Sequence, residues 1–378
     1  MITEFKCHIP SSAIDDLRSR LRKTRWTDEI KLSEWQYGAS LSYMRELTDY
    51  WLNKFDWRKV EDHINQYPNY IADIEGTKIH FVHVKGKGKK SVPLIVTHGW
   101  PGSFLEMYKL VDLLTTGPEF SFDLIIPSIP GFGFSQKITE PGCNLWFIAE
   151  LWSKLVRELG YEKVIAQGGD FGAGISTALA LRHPEQLLGL HLNYIPGSYL
   201  PFLSENEKLT EEEMLSQKNA EHWFMTEGSY SHQHRTKPLT LAYGLNDSPV
   251  GLCAWIVEKF QSWSDCNGNI ETVFTKDELL SNVSLYWFTQ TIHSSIRLYN
   301  ENSKMPLHFT KDDFVKTPVG IARFHKEEPF PMRKFIERGY NIQHWTEILN
   351  GGHFAAMEQP LLLANDIIQF GKSLNLNK

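Results

Sequence analysis

The stretch Lys163-Val-Ile-Ala-Gln-Gly-Gly-Asp-Phe-Gly172 passes from an apolar strand pattern through a glycine-framed turn into a helical pattern that reaches Arg182. A buried-type strand, a turn of small residues and a helix in that order make the context of a nucleophile elbow. Gly168 and Gly172 leave room for the sharp turn, and Asp170 stands at its apex. A carboxylate cannot do there what a serine does. It is, however, a competent nucleophile for displacement at a saturated carbon. Taken alone, Asp170 serves equally well as a cap for a helix beginning at Phe171.

The alternation continues on both sides. Residues 78–84, 93–97, 122–126 and 187–192 read as strands, and 103–114 and 145–159 as helices. The short apolar run at 93–97 suits a strand buried on both faces. Strands alternating with helices of about 10–15 residues mean βαβ units and a parallel sheet, so the fold class is α/β. The alternation stops near Pro196. Residues 197–310 carry helical spacing and many aromatics, strand character returns at 317–323 and 342–349, and a helix over 360–372 closes the chain. The first 70 residues read as helical. Ser11 and Ser12 can cap a run over 13–21, and Leu41, Met44, Leu47, Tyr50 and Trp51 form one stripe of a second helix. The chain therefore divides into a helical extension (1–75), a first core segment (76–195), a helical lid (196–310) and a second core segment (311–378).

Composition narrows the function. The 378 residues carry 39 Lys and Arg against 45 Asp and Glu, a net charge of −6. That balance argues against a nucleic-acid partner, which calls for a basic face. The basic hexamer Lys85-Gly-Lys-Gly-Lys-Lys90 reads as a solvated turn. Aromatics make up 13% of the chain, with 12 Trp, as suits a large core or an aromatic-lined apolar cavity. Cys7, Cys143, Cys253 and Cys266 lie far apart with no CxxC pair, which excludes a disulfide scaffold and a zinc ribbon. The start has no apolar leader, and no window approaches 18 apolar residues, so neither secretion signal nor membrane span is expected.

Three further segments carry chemistry. His98-Gly-Trp-Pro-Gly-Ser103 follows an apolar strand, and such a turn presents backbone N–H groups to a developing anion. Trp100 and Phe171 are the two expected N–H donors. Gly351-Gly352-His353 lies between the last strand and the last helix, as suits a base that comes last in chain order. Its orienting acid should follow an earlier strand, and Glu327 and Glu328 both qualify.

Together these motifs resemble the α/β-hydrolase-fold epoxide hydrolases, in the microsomal-type branch with an N-terminal extension. HGWPGSF (98–104), GGDFG (168–172), LNDSPVGL (245–252) with EKF (258–260), and GGHFAAMEQP (351–360) carry the resemblance across nearly the whole chain. The chain departs from the family in placing Phe171 where Trp is usual and in showing no counterpart of the microsomal anchor. A soluble, cytoplasmic relative is expected. The resemblance implies two lid tyrosines, Tyr230 and Tyr299, that polarise the epoxide oxygen. It also favours Glu327, fourth in the run Phe324-His-Lys-Glu327, over Glu328. It implies attack by Asp170, hydrolysis of the resulting ester by water activated at His353, an apolar epoxide as substrate, and no cofactor or metal. Homodimer formation is left open.

Two other enzyme readings use part of this set. A haloalkane dehalogenase shares the Asp and His but needs indole or amide donors for halide, and Phe171 offers none. A serine esterase fails for want of a serine at residue 170. A non-catalytic protein binding an apolar ligand would lack one of the five side chains, and all five are present. His222, His232 and His234 form a conceivable metal set, although three His in a polar segment more often face solvent.

Overall fold

The computed structural model describes residues 1–205 and 207–374. Its strands are β1 (Ile2–Phe5), β2 (Asn69–Ile74), β3 (Thr77–Val84), β4 (Lys90–Thr97), β5 (Phe120–Pro127), β6 (Val164–Gly168), β7 (Leu187–Leu192), β8 (Val315–Phe324) and β9 (Tyr340–Ile348). They form one sheet in the order β1-β2-β3-β5-β4-β6-β7-β8-β9. The pairings from β5 through β9 are parallel, and those among β1, β2, β3 and β5 are antiparallel. The sheet is mostly parallel with helices flanking it, which is the α/β-hydrolase fold. The central strands are buried on both faces: Leu94, Ile95, Val96, Ile165 and Ala166 are all within 1% of complete burial.

The strand order reverses beside β4, whose neighbours are β5 and β6. In such sheets the crevice beyond the carboxyl ends of the strands at the reversal is the place for a site. Thr97 and Gly168, the last residues of β4 and β6, lie in register, so the turns that follow them emerge side by side. Phe324 and Ile348, the last residues of β8 and β9, are paired in the same way. All four turns open at one end of the sheet.

The N-terminal region differs from the expectation of a helical extension over 1–75. Helices Ser11–Arg22, Leu41–Asn53 and Trp57–Asn65 are present, but β1 and β2 join the sheet antiparallel at its edge. Helix Ser11–Arg22 begins at Ser11 itself, behind Pro10 and without a side-chain cap. Ser11 instead takes a hydrogen bond from Arg58 at 3.0 Å. The second helix is capped by Ser40 and buries Met44, Leu47 and Trp51. Trp51 donates to Ser284 Oγ at 3.0 Å, tying this region to the insertion.

Between β7 and β8, six α-helices occur among the described residues: Glu211–Thr226, Ser229–Thr236, Pro238–Asp247, Pro249–Trp263, Lys276–Thr289 and Ile292–Lys304. Capping boxes start two of them, Thr210 with Glu213 and Thr275 with Glu278. The expected helix at 103–114 starts as a 3₁₀ turn, Phe104–Met107, and continues as Tyr108–Thr115. All four cysteines are free. No helix among the described residues is long and apolar enough to cross a membrane.

Candidate active site

The turn after β6 is as sharp as its glycines suggest. Asp170 has φ +44°, a left-handed conformation unusual for a non-glycine residue. A Cβ on Gly172 would lie 1.9 Å from the Thr97 carbonyl oxygen, and one on Gly168 would lie 2.2 Å from Gly172. Only glycine allows β4 and the elbow to approach so closely. Asp170 is not the helix cap, because Gly169 takes that position. Its carboxylate turns outward and accepts the Trp100 N–H at Oδ1, 2.7 Å away. Burial raises the Asp170 pKa, while His353 and the Trp100 and Phe171 amides act to lower it.

His353 Nδ1 lies 3.0 Å from Glu327 Oε2 and 3.2 Å from Oε1. Its Nε2 lies 3.9 Å from Asp170 Oδ2. A Glu-bound Nδ1 carries the proton, leaving Nε2 free to face the reacting groups when the ring is neutral. Burial works against a charged imidazole, but Glu327, Asp170 and Glu106 outweigh it and hold the ring at about 9. Glu327 is 3% exposed and touches His353, whereas Glu328 is exposed and does not. Of the two acids that the spacing allowed, the structure brings Glu327 to His353.

Tyr230 and Tyr299 come from two helices of the insertion and meet over the elbow. Tyr230 stacks on Trp100 at 5.4 Å, Tyr299 packs edge-on to Phe171 at 4.7 Å, and the two phenol rings lie 5.9 Å apart. The Tyr299 hydroxyl is buried with no partner in hydrogen-bonding geometry, although Tyr230 is near enough to bear on its titration. Burial pushes both phenols well above their ordinary pKa, so both hold their protons at neutral pH. Asp170, Tyr230 and His353 line one cavity of about 100 Å³.

The conceivable histidine cluster does not assemble. His222 and His232 are exposed, and His234 is buried beside Trp100, accepting the Trp255 indole N–H at 3.1 Å. No group of three side chains that could hold a metal occurs among the described residues. His98 of the HGWPGS motif is buried, held down at about 4 by burial, and spends its Nε2 on the Ile129 amide.

Sequence reasoning missed five neighbours of the site. Trp263 ends an insertion helix, lies 5.0 Å from the His353 ring, and accepts the His353 N–H on its carbonyl at 3.0 Å. Tyr194 lies 6.0 Å from the same ring. Glu358 accepts the amides of Gly352 (2.9 Å), Phe354 (2.8 Å) and Asp265 (2.8 Å). Asp265 in return accepts the Gly351 amide at 3.0 Å. An acid five residues after the motif histidine was the signal for Glu358. The fifth neighbour, Glu106, lines a second, smaller cavity together with Asp170.

Comparison with known proteins places the chain in a family. The family described as "Epoxide hydrolase N terminus" matches residues 2–107, and "alpha/beta hydrolase fold" matches residues 92–239. A protein from Stigmatella aurantiaca (strain DW4/3-1), provisionally named an epoxide hydrolase, is 42% identical over 375 residues, 97% of this chain and 84% of its own. This chain belongs to the epoxide hydrolase family. Epoxide hydrolase 1 of Sus scrofa is 38% identical over 98% of this chain and 88% of its own. The crystal structure of juvenile hormone epoxide hydrolase from the silkworm Bombyx mori superposes with a TM-score of 0.88 at 29% identity. That match covers all of this chain and 95% of the silkworm chain. Among epoxide hydrolases, this one carries Phe171 beside its elbow aspartate.

Proposed function

We propose that this epoxide hydrolase opens an apolar epoxide to a vicinal diol through an ester on Asp170. Tyr230 and Tyr299 hold the epoxide oxygen by their hydroxyl protons. An Asp170 oxygen attacks one ring carbon, the carbon–oxygen bond of the ring breaks, and its electron pair stays on the oxygen that the phenols stabilise. His353, oriented by Glu327, then takes a proton from water, and the hydroxide adds to Asp170 Cγ. The oxyanion so formed meets the amides of Trp100 and Phe171, each such donor being worth about 3 kcal/mol. Collapse breaks the ester bond, His353 returns its proton to the departing diol oxygen, and the proton left on the Asp170 carboxyl passes to the oxygen held by the phenols, which completes the diol and restores the carboxylate. The observation that carries this reading is the single cavity onto which Asp170, His353 and Tyr230 all open, with the unpartnered Tyr299 hydroxyl beside them.

The test is a single turnover in ¹⁸O-water. Label should appear in the Asp170 carboxylate, and the first diol should contain none. Label entering the diol directly would mean attack by water on the ring and would overturn the ester.

A further inference from the structure

Behind Asp170, on the side away from the insertion, lies a cavity of about 20 Å³. Its lining is unusually polar for so buried a place and includes Glu106, Gln167, Asn193, Asp170 and His353. A water needs about 10–15 Å³ and two to four polar partners to occupy such a space. Gln167 donates its amide to Asn193 Oδ1 at 2.8 Å, which leaves Gln167 Oε1 buried and without a partner. An orphaned buried acceptor is costly unless something donates to it.

Glu106 is the second anomaly. It sits in the first turn after Ser103, nine-tenths buried, and the mechanism above does not use it. A Cβ on Gly102 would lie 1.2 Å from Glu106 Oε1, so the carboxyl occupies the space that a side chain at residue 102 would fill. The Ser103 amide acts on the carboxyl, and His353 and Asp170, which line the same cavity, are the charged groups that act on it. A buried carboxyl with no cation in contact weakens the fold, and its placement here calls for a functional account.

We propose that this cavity seats the water that cleaves the Asp170 ester, and that Glu106 holds that water against His353. The inference rests on the ester mechanism. Of the water's two hydrogens, one faces His353 Nε2 and is removed. The other is held by the Glu106 carboxyl, and Gln167 Oε1 offers an alternative acceptor. The bond that forms is from the water oxygen to Asp170 Cγ, and the bond that breaks is the ester bond to the diol. Because Glu106 touches the attacking water and not the epoxide, it serves only the second half-reaction.

The experiment follows ester formation and ester hydrolysis separately by rapid mixing and by intact-protein mass. Glu106→Ala should slow hydrolysis on the order of 10²-fold, as misplacing a reacting group does. Its alkylation rate should stay within about twofold of wild type. Glu106→Gln keeps the volume and one acceptor oxygen, so hydrolysis should recover to within about tenfold of wild type. Should the Ala variant not fold, Glu106→Met, which fills the space but offers the water no acceptor oxygen, carries the same expectation. Wild-type hydrolysis in the variant without an acceptor overturns the proposal, and so does equal loss in both steps. Absence of any ester in wild type and in His353→Gln would instead overturn the underlying mechanism.

Discussion

His353 Nε2 stands 3.9 Å from Asp170 Oδ2, beyond hydrogen-bond reach and at a spacing that admits a bridging water. On the proposed mechanism the imidazole is therefore placed for water rather than for Asp170, and the two half-reactions should separate. His353→Gln should still form the ester and hydrolyse it at least 10²-fold more slowly, within the range that general-base removal costs. Intact-protein mass should show the adduct accumulating. A variant with neither turnover nor adduct would mean that His353 also serves the first step.

Glu327 and Glu328 are adjacent in sequence and differ in burial and contact. Glu327→Gln should lose activity by about 10²-fold or more, because the ring loses its orienting partner and the counter-charge to its cation. Glu328→Gln should remain within about twofold of wild type, as exposed substitutions do. Steady-state kinetics on the pair decide this, and equal tolerance would remove Glu327 from the site.

Ring opening places a full negative charge on oxygen in a cavity with few donors. Tyr230→Phe and Tyr299→Phe should each slow alkylation by about 10²–10³-fold, the usual loss on removing one such donor. The double variant should lose far more, because no donor then meets the alkoxide. Trp fluorescence in the pre-steady state reads the alkylation rate directly. A double variant that alkylates normally would make the two rings packing residues.

The charge on Asp170 helps to hold His353 near 9, together with Glu327 and Glu106. Esterification removes that charge. The ring should then release its proton more readily, so the free enzyme favours an imidazolium and the intermediate favours the neutral base. Asp170→Asn mimics the neutral state and should lower the His353 pKa, read by NMR of the ring protons against pH. An unchanged value would mean that Asp170 does not govern the base.

Much of this architecture is visible in the chain, for local reasons. The alternation from 78 to 192 announces the parallel core because each strand is a short apolar run and each helix between them carries helical spacing. The elbow announces itself because glycine at 168 and 172 has a steric cause. Strand β1 escaped notice because its one partner, β2, lies more than sixty residues away in the chain, and β2 is held between β1 and β3 rather than marked by a period of its own. Four residues such as Ile2–Phe5 carry no period that a reader can weigh. Glu106 was illegible for a different reason. Its inward turn depends on the missing side chain at Gly102, and nothing in the spacing of the acid itself says which way it points. Glu327 over Glu328 was chosen by resemblance, and contact with His353 supplies the physical ground.

The strap between the histidine loop and the insertion bears on engineering. Trp263 and Asp265 hold the Gly351–His353 backbone from the insertion side, and Glu358 clasps both segments from the core. The His353 loop and the insertion are thus fastened to each other, although they lie some ninety residues apart in the chain. A chimaera that takes its insertion from another scaffold would retain Asp170 and Glu327 in register, since β6 and β8 belong to the sheet. It would still lose the placement of His353 unless the donor insertion brought along its own equivalents of Trp263 and Asp265.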